Sequence, residues 1–271
     1  MGTTGIPYLT RVWNPTTGCS PVSAGCDNCW ARAYLRRFGC PRGGEAYPND
    51  GPCQPRVLRY RLDEPLRWRK PQIVGVSFMG DLFHEEIPFD WIRRVFVVMA
   101  RATQHRFLLL TKRPQRYAEW FRWIDHTPGK MDARLLSVCA CQPWPLRNVW
   151  VGVSVEEQAT ADERVPVLLG APAAHWWLSL EPQLGPVDLA RFTCDARRID
   201  WVVQGCESGP RRRPFDVEWA RSVRDRLAGT TVGYYLKQMP RCCGHANESR
   251  NTTVEHLPPL DGQRYANMPG T

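Results

Sequence analysis

Residues 9–29 read LTRVWNPTTGCSPVSAGCDNC and join a short apolar run to a glycine-containing loop with three cysteines. The run 9–13 is typical of a β-strand, and Cys19, Cys26 and Cys29 follow it in the loop. Because Cys26 and Cys29 are three positions apart, one helical turn could present both thiolates on the same side. A strand that leads directly into potential ligands is typical of a βα enzyme.

Six further apolar runs repeat this pattern of a strand followed by a polar turn. They lie at 73–78, 106–110, 149–153, 176–180, 201–203 and 232–236, and several are continuous, as in strands buried on both faces of a parallel sheet. Helical periodicity at 90–102, 162–169 and 217–227 lies between some of them. The alternation predicts an α/β fold, an incomplete TIM-like βα barrel of about six or seven parallel strands.

The same pattern predicts the domain organisation. We expect residues 1–240 to form the partial barrel, with a Pro/Gly-rich irregular insertion at 39–56. Residues 241–271 are expected to form a C-terminal extension packed on the barrel.

Polar residues follow the strands, and the carboxyl ends of parallel strands share one face of a barrel. We therefore expect one site to contain Ser77, Met79, Gly80, Asp81, Thr111, Lys112, Arg113, Ser154, Glu156, Glu181, Glu207 and Lys237. Other roles are open for these residues: Asp81 as a helix cap, 111–113 as a solvated basic turn, and each glutamate as a structural ion-pair member. His84 is either an acid/base group or a capping histidine.

Charge and cysteine content restrict the function class. The formal net charge of +9 favours a polyanionic partner, and nucleic acid is the obvious class. Arg211, Arg212 and Arg213, beside the Glu207 turn, could contact a nucleic-acid backbone or form a solvated charge run. We find neither a membrane span nor a secretory signal in the sequence and expect a cytoplasmic protein, in the host cytoplasm if it is phage-encoded.

Eleven cysteines without a secretion signal favour metal ligation or free thiols over disulfides. Three thiolates leave one iron of a cuboidal cluster open for a substrate or cofactor. A zinc site would need a fourth ligand, for which Cys40, Cys53, Cys242, Cys243 and His245 are candidates, and free thiols are the third alternative. We interpret the pairs Cys139/Cys141 and Cys242/Cys243 as free thiols or weak sites.

A family resemblance adds to this interpretation. The stretch 13–38, WNPTTGCSPVSAGCDNCWARAYLRRF, resembles the opening of the phage Gp37/Gp68 family, which is radical-SAM-like with a three-cysteine motif. Later motifs in the same order also resemble it: GDLFHEEIP, LLLTKRP, NVWVGVSVE, LSLEPQLGPVDL, IDWVVQGCESGPRRRP, YYLKQ and LDGQRYANMP. The resemblance extends over essentially the whole chain. The six-residue gap between Cys19 and Cys26 is longer than the three residues usual in radical-SAM enzymes, and Asn28 stands where an aromatic residue is common.

The resemblance implies a 4Fe–4S cluster on Cys19, Cys26 and Cys29 whose open iron chelates S-adenosylmethionine (SAM). Reductive cleavage, with an external electron donor, would give a 5′-deoxyadenosyl radical. In this interpretation the cofactor-binding residues are Ser77, Met79, Gly80, Asp81, Thr111, Ser154 and Glu156. Lys112, Glu181, Glu207 and Lys237 are the candidate catalytic residues, and Arg113 joins Arg211, Arg212 and Arg213 as nucleic-acid contacts.

The expected function is a radical SAM enzyme that acts on a nucleic-acid base or nucleotide, with phage DNA hypermodification as one outcome. The alternatives are an iron–sulfur DNA repair lyase and a non-catalytic zinc-binding nucleic-acid protein. A partner protein that supplies part of the site is also open.

Overall fold

The computed structural model describes residues 4–39, 45–46, 54–125, 144–193, 199–209, 211–241 and 254–268. The insertion at 39–56 lies largely outside these residues. So do the alternative ligands Cys40, Cys53, Cys242, Cys243 and His245, and the pair Cys139/Cys141.

An eight-stranded sheet organises the chain, with the strand order β1-β5-β6-β7-β8-β9-β10-β11. Its strands are β1 Arg11–Trp13, β5 Ile73–Val76, β6 Arg106–Thr111, β7 Val149–Ser154, β8 His175–Leu180, β9 Trp201–Gly205, β10 Gly233–Pro240 and β11 Val254–His256. The first seven are parallel, and β11 pairs antiparallel with β10. Since β1 and β11 are not neighbours, the sheet is an open, incomplete βα barrel, as the sequence predicts.

A small second sheet lies beside the start of the barrel. It is formed by β2 Thr16–Thr17, β3 Glu45–Ala46 and β4 Arg56–Val57, in the order β2-β4-β3. Because β2 follows β1 directly, this sheet anchors the chain just before the first cysteine.

The described helices are α1 Trp30–Phe38, α2 Phe89–Arg101, α3 Pro114–Asp125, α4 Gln158–Gly170, α5 Ala190–Thr193 and α6 Val217–Leu227. Short 3₁₀ turns lie at Ala24–Cys26, Arg59–Arg61 and Glu64–Arg67. Helices α2, α4 and α6 confirm the predicted periodic segments, α4 being longer at both ends, while α1 and α3 were not predicted. None of the described helices is long and apolar enough to cross a membrane.

Both faces of the sheet are buried, which explains the continuous apolar strands. On β6, Phe107 and Leu109 join the cluster that packs against the helices, whereas Leu108 joins a second cluster inside the barrel. Trp177 and Trp201 dominate the inner cluster, with ring centroids 5.4 Å apart. These rings fill part of the barrel interior.

The described part of the C-terminal segment, 254–268, lies along β10. The backbone N–H of Leu236 donates to Tyr265 O at 3.0 Å, and Trp201 Nε1 donates to Asn267 O at 2.7 Å. Asp261 accepts hydrogen bonds from Arg221 and Arg224 of α6. The segment therefore packs on the edge of the barrel.

Candidate active site

The carboxyl ends of the strands surround an open cavity with about 1190 Å³ of free space, its mouth included. Cys19, Cys26 and Cys29 all line it. Ten other residues predicted for the site also line it, together with Ser208: Met79, Gly80, Asp81, Thr111, Lys112, Arg113, Ser154, Glu181, Glu207 and Lys237. Folding thus brings the cysteine loop and the ends of later strands to one place.

The loop reaches the cavity through a fixed path. Gly18, at φ 84°, turns the chain after β2, and its N–H donates to Met79 O at 3.0 Å. Cys26 ends a 3₁₀ turn, and the N–H of Cys29 donates to Cys26 O at 3.3 Å. Helix α1 begins at the next residue. As the spacing predicts, Cys26 and Cys29 are one turn apart.

Arg113, at the end of β6, holds the first part of the loop. Its Nη2 donates to Ser20 O at 3.1 Å and to Ser20 Oγ at 2.9 Å, and its Nη1 donates to Cys19 Sγ at 3.4 Å. The remaining donors bind Asp81 at 3.2 Å and Glu85 at 2.9 Å. All five guanidinium N–H groups are used and the side chain is 5% exposed. Arg113 is therefore an interior residue that lines the cavity, and its expected contact with nucleic acid stays a prediction.

Glu156, after β7, holds the middle of the loop. It is 1% exposed, and it accepts hydrogen bonds from Ser23 Oγ at 2.8 Å, from Arg164 Nη1 at 3.0 Å and from Lys112 Nζ. Burial raises the pKa of this carboxyl, but the charges of Lys112 and Arg164 outweigh that effect and hold the pKa below its usual range. Glu156 is not among the residues that line the cavity and belongs to a buried ion-pair network, while its expected cofactor contact stays a prediction.

Glu207, after β9, holds the last part of the loop. Its Oε2 accepts Asn28 Nδ2 at 3.0 Å, and its Oε1 accepts Arg213 Nη2 at 2.6 Å. Arg213 Nη2 also donates to Ala24 O at 2.9 Å. Burial raises the pKa of Glu207, yet these donors outweigh burial and lower it. Glu207 and Arg213 thus position the cysteine turn. The Arg213 side chain is still 30% exposed, and its expected contact with nucleic acid stays a prediction.

Asp81 organises the centre of this arrangement. Its carboxylate accepts Thr111 Oγ1 at 2.9 Å, Phe83 N at 2.9 Å and Lys112 N at 3.2 Å, besides Arg113. A carboxylate with this many donors is already neutralised. Asp81 and Thr111 therefore connect the turn after β5 to β6, and the Asp81 carboxylate is engaged within the protein.

The cavity lining also contains an ion pair formed by Lys237 and Glu181. Lys237 Nζ on β10 contacts Glu181 Oε1 at the end of β8, as expected for a lysine facing these glutamates. Ser154 Oγ donates to Glu181 O at 3.1 Å. Cys206, which sequence reasoning missed, is a fully buried residue of the same lining, and burial raises the pKa of its thiol to about 12.

The remaining predicted cofactor residues lie in the turn after β5. Met79 O accepts Gly18 N and Thr17 Oγ1, so this carbonyl is used by the loop. A Cβ at Gly80 would lie 2.6 Å from Gly18 O, which explains why glycine is required there. Ser77 has φ 57° and a buried Oγ without a hydrogen-bond partner among the described residues, and it does not line the cavity.

The residues that hold the loop were largely missed from the sequence. Ser20, Ser23 and Arg164 were not singled out, and Asn28 was noted only because it stands where an aromatic residue is common. His84 accepts the Glu86 N–H at its Nδ1 at 3.1 Å, which leaves its Nε2, 2.7 Å from Ser20 Oγ, as the donor. Burial lowers the pKa of His84, so the ring is neutral at neutral pH. Only the position of Ser20 and Ser23 between the cysteines could have indicated their role.

The donor set fits a thiolate-bound metal group. Burial and the charge of Asp81 raise the pKa of Cys19 to about 12, while Arg113 acts in the opposite direction. A metal would displace the thiol proton, and the hydrogen bond from Arg113 would then stabilise the ligand sulfur. Among the described residues, no group of three or more His, Cys, Asp or Glu side chains is arranged so that it could hold a metal ion.

The chain belongs to the family described as "Protein of unknown function (DUF5131)", whose model matches residues 3–269. No curated protein matches the sequence. The resemblance to the phage Gp37/Gp68 family therefore remains a prediction.

Solved chains of spore photoproduct lyase are similar to the structure. A cysteine-to-serine mutant is 12% identical with a TM-score of 0.45, covering 93% of this chain and 70% of that one. The lyase complexed with dinucleoside spore photoproduct is 13% identical with a TM-score of 0.44, covering 89% and 67%. A tyrosine-to-phenylalanine mutant is 11% identical with a TM-score of 0.48, covering 94% and 70%.

Proposed function

We propose that this member of a family of unknown function is an iron–sulfur enzyme of the radical-SAM type that acts on a nucleic-acid base or nucleotide. One observation carries the proposal: three cysteines of a single loop line the same cavity as the charged ends of the barrel strands. Chemistry in βα barrels takes place at this face.

The chemistry of the donors supports iron–sulfur ligation. Cys19, Cys26 and Cys29 would hold the cluster, and three thiolate ligands leave one iron open. With SAM bound, a 4Fe–4S cluster supplies the electron that cleaves SAM and so gives the 5′-deoxyadenosyl radical. The protein's own contribution is to position these thiols and to neutralise the charges around them.

The tethers of the loop support the proposal energetically. Arg113, Glu156 and Glu207 each connect a different strand end to a different part of the loop. Fixing a loop in this way costs conformational entropy and places charges in the interior. A loop that only covered the end of the barrel would not require three buried tethers, whereas a cluster site needs its ligands pre-positioned.

The ion pair in the cavity lining fits a substrate or cofactor contact. Lys237 and Glu181 line the cavity, and their side chains are 12% and 18% exposed. Such a pair can bind ribose hydroxyls, a carboxylate or a phosphate by exchanging its internal contact for one with the ligand. The net charge of +9 supports nucleic acid as the substrate class.

The test is anaerobic reconstitution with iron and sulfide, followed by SAM and dithionite. We expect about four irons per chain, a spectral change of the cluster when SAM is added, and 5′-deoxyadenosine by mass spectrometry. Cys19→Ser, Cys26→Ser and Cys29→Ser should each lose iron, whereas Cys206→Ser, a control thiol in the same cavity, should retain it. An intact cluster that gives no 5′-deoxyadenosine would refute the radical chemistry.

Product analysis with DNA then distinguishes the substrates. A modified base in undamaged DNA would indicate hypermodification, and reversal of a lesion would indicate a repair lyase. Stoichiometric zinc without iron in the purified protein would instead indicate the non-catalytic binding protein.

A further inference from the structure

Helix α1, directly after the cysteines, exposes three aromatic rings. Trp30 is 48% exposed, Tyr34 51% and Phe38 62%. They recur every four residues and so lie along one side of the helix, while Ala31 and Leu35 face the interior. Large rings exposed together in this way mark an interaction surface.

The two outer rings are held in place within the helix. The centroids of Tyr34 and Phe38 are 4.7 Å apart with the rings tilted by 45°. The guanidinium of Arg37 lies 5.1 Å from the Phe38 centroid. Because these contacts restrict the side chains before any ligand binds, less entropy is lost on binding.

A groove runs between this side of α1 and the turn after β9. The described residues that line it include Arg32, Arg36, Arg37 and Arg211, against a single acidic residue, Asp27. Asp27 is itself 3.4 Å from Arg213, outside the groove lining. The groove is therefore positively charged as well as aromatic.

The groove opens into the cavity of the cysteines. Both spaces share the lining residues Asn28, Cys29, Trp30, Arg32 and Ser208. A chain-like ligand that lies in the groove would therefore reach the cavity at the end occupied by Trp30.

We propose that the α1 face, defined as Trp30, Tyr34, Phe38, Arg36 and Arg37, together with Arg211 across the groove, binds single-stranded nucleic acid. Base faces stack on the exposed sides of the rings, which belong to residues about 6 Å apart along the helix axis. Phosphates contact the arginines. Only unpaired bases expose the faces that this arrangement needs, so the single strand is the ligand rather than the duplex.

A polyanion fits this face better than a protein does. A protein partner would have to cover exposed arginines with matching carboxylates, and helix α1 itself has no acidic residue with which a second copy could pair. Strand binding at this face deepens the proposed function. It rests on that function in one respect, namely that a nucleotide of the bound strand is delivered to the cavity. Strand binding itself requires neither the cluster nor SAM.

The first test measures binding of a fluorescein-labelled twelve-nucleotide oligothymidylate by anisotropy, with the full chain and without SAM or reductant. Tyr34→Ala and Phe38→Ala should each weaken binding about tenfold, since one base–aromatic stack contributes on that order. Tyr60→Ala, at a ring that is 50% exposed elsewhere on the surface, is the matched control and should bind as wild type. Circular dichroism establishes that each variant is folded.

The second test concerns the charges. Arg36→Gln should reduce the slope of log K against log salt by roughly 0.7, because one fewer phosphate of a single strand is then neutralised. Arg94→Gln removes one charge from the exposed side of α2, where Arg94 is 45% exposed and pairs with Asp90, and should leave the slope unchanged.

Three results would overturn the inference. They are unchanged affinity in the Tyr34 and Phe38 variants, a loss in Tyr60→Ala as large as theirs, or equal affinity for a blunt duplex of the same length. A wild-type dimer that Phe38→Ala dissociates would also overturn it, because a second copy would then cover the face. Formation of 5′-deoxyadenosine by the wild-type protein without nucleic acid tests the proposed function separately, and its absence would leave the strand-binding result standing.

Discussion

Replacing Glu156 with glutamine tests whether the buried ion pairs position the cysteine loop. The carboxylate is 1% exposed and accepts hydrogen bonds from Ser23, Lys112 and Arg164, the last of which has a side chain only 3% exposed. A glutamine has the same shape, but it is neutral and its amide N–H₂ must face one of these donors. Arg164 or Lys112 then loses its charged partner.

The magnitude follows from that loss. Breaking a buried ion pair by removing one partner costs about 3–5 kcal/mol. We expect the lower half of this range, because Lys112 is 19% exposed and can be solvated in part. A loss of about 3 kcal/mol is a large fraction of the roughly 5–15 kcal/mol that stabilises a typical domain.

The assay is urea unfolding followed by tryptophan fluorescence at several pH values. Because the folded pKa of Glu156 lies below its unfolded value, the native state gains stability from ionised Glu156 above the ordinary glutamate pKa of about 4.3. The difference between wild type and Glu156→Gln should be constant above that pH and shrink as the pH falls below it. Glu163→Gln, on the exposed side of α4, is the control, with an expected change within about 0.5 kcal/mol.

A difference below about 1 kcal/mol at pH 7, or one that persists undiminished through the acid range, would contradict the assigned role of Glu156. The same variant, reconstituted anaerobically, should retain less iron than wild type, because Ser23 of the cysteine loop then loses its hydrogen bond to the Glu156 carboxylate.

Gly25→Ala should destabilise the protein by about 1–3 kcal/mol in the same urea assay, because its Cβ would lie 2.5 Å from Glu156 Oε1. Gly5→Ala, with nothing within 4 Å of its Cβ, is the control, and equal stabilities of the two variants would contradict the packing argument. Asp261→Asn should increase hydrogen exchange in 254–268, because the ion pair with Arg221 and Arg224 is lost. In wild type, hydrogen exchange in this segment should increase as the pH falls from about 4 to 2, since the two arginines lower the pKa of Asp261 to about 2. Unchanged exchange would show that this ion pair does not hold the segment. His84→Gln should flatten the stability profile below about pH 6.5, because burial lowers the pKa of His84 and acidification then favours the unfolded state. A profile parallel to wild type would contradict this.

The strands could be predicted because their signal is local. All seven apolar runs of the sequence form parallel strands, and the described part of the large sheet adds only the antiparallel β11. Helix α1 was missed although its apolar residues recur at helical spacing, with Ala31 and Leu35 buried. That spacing does not indicate that the neighbouring rings of Trp30, Tyr34 and Phe38 stay exposed.

The roles of the charged residues were harder to predict. Glu156 and Glu207 follow strands as expected, but their partners Ser23 and Asn28 lie 133 and 179 residues away along the chain. No spacing rule connects residues at such separations. Arg113 likewise reads as a basic turn in sequence, yet its side chain is enclosed by the loop and the β5 turn.

Local sequence was therefore sufficient to predict the barrel, the face of the barrel that carries polar groups, and the loop with Cys19, Cys26 and Cys29. Periodicity and strand ends are enough for this, because the side on which a residue lies depends on its near neighbours. The folded chain was needed to learn which charges neutralise one another around that loop and which rings of α1 stay exposed. Both depend on which distant segments meet when the sheet curls, and burial then determines whether an ionised group can remain without a partner.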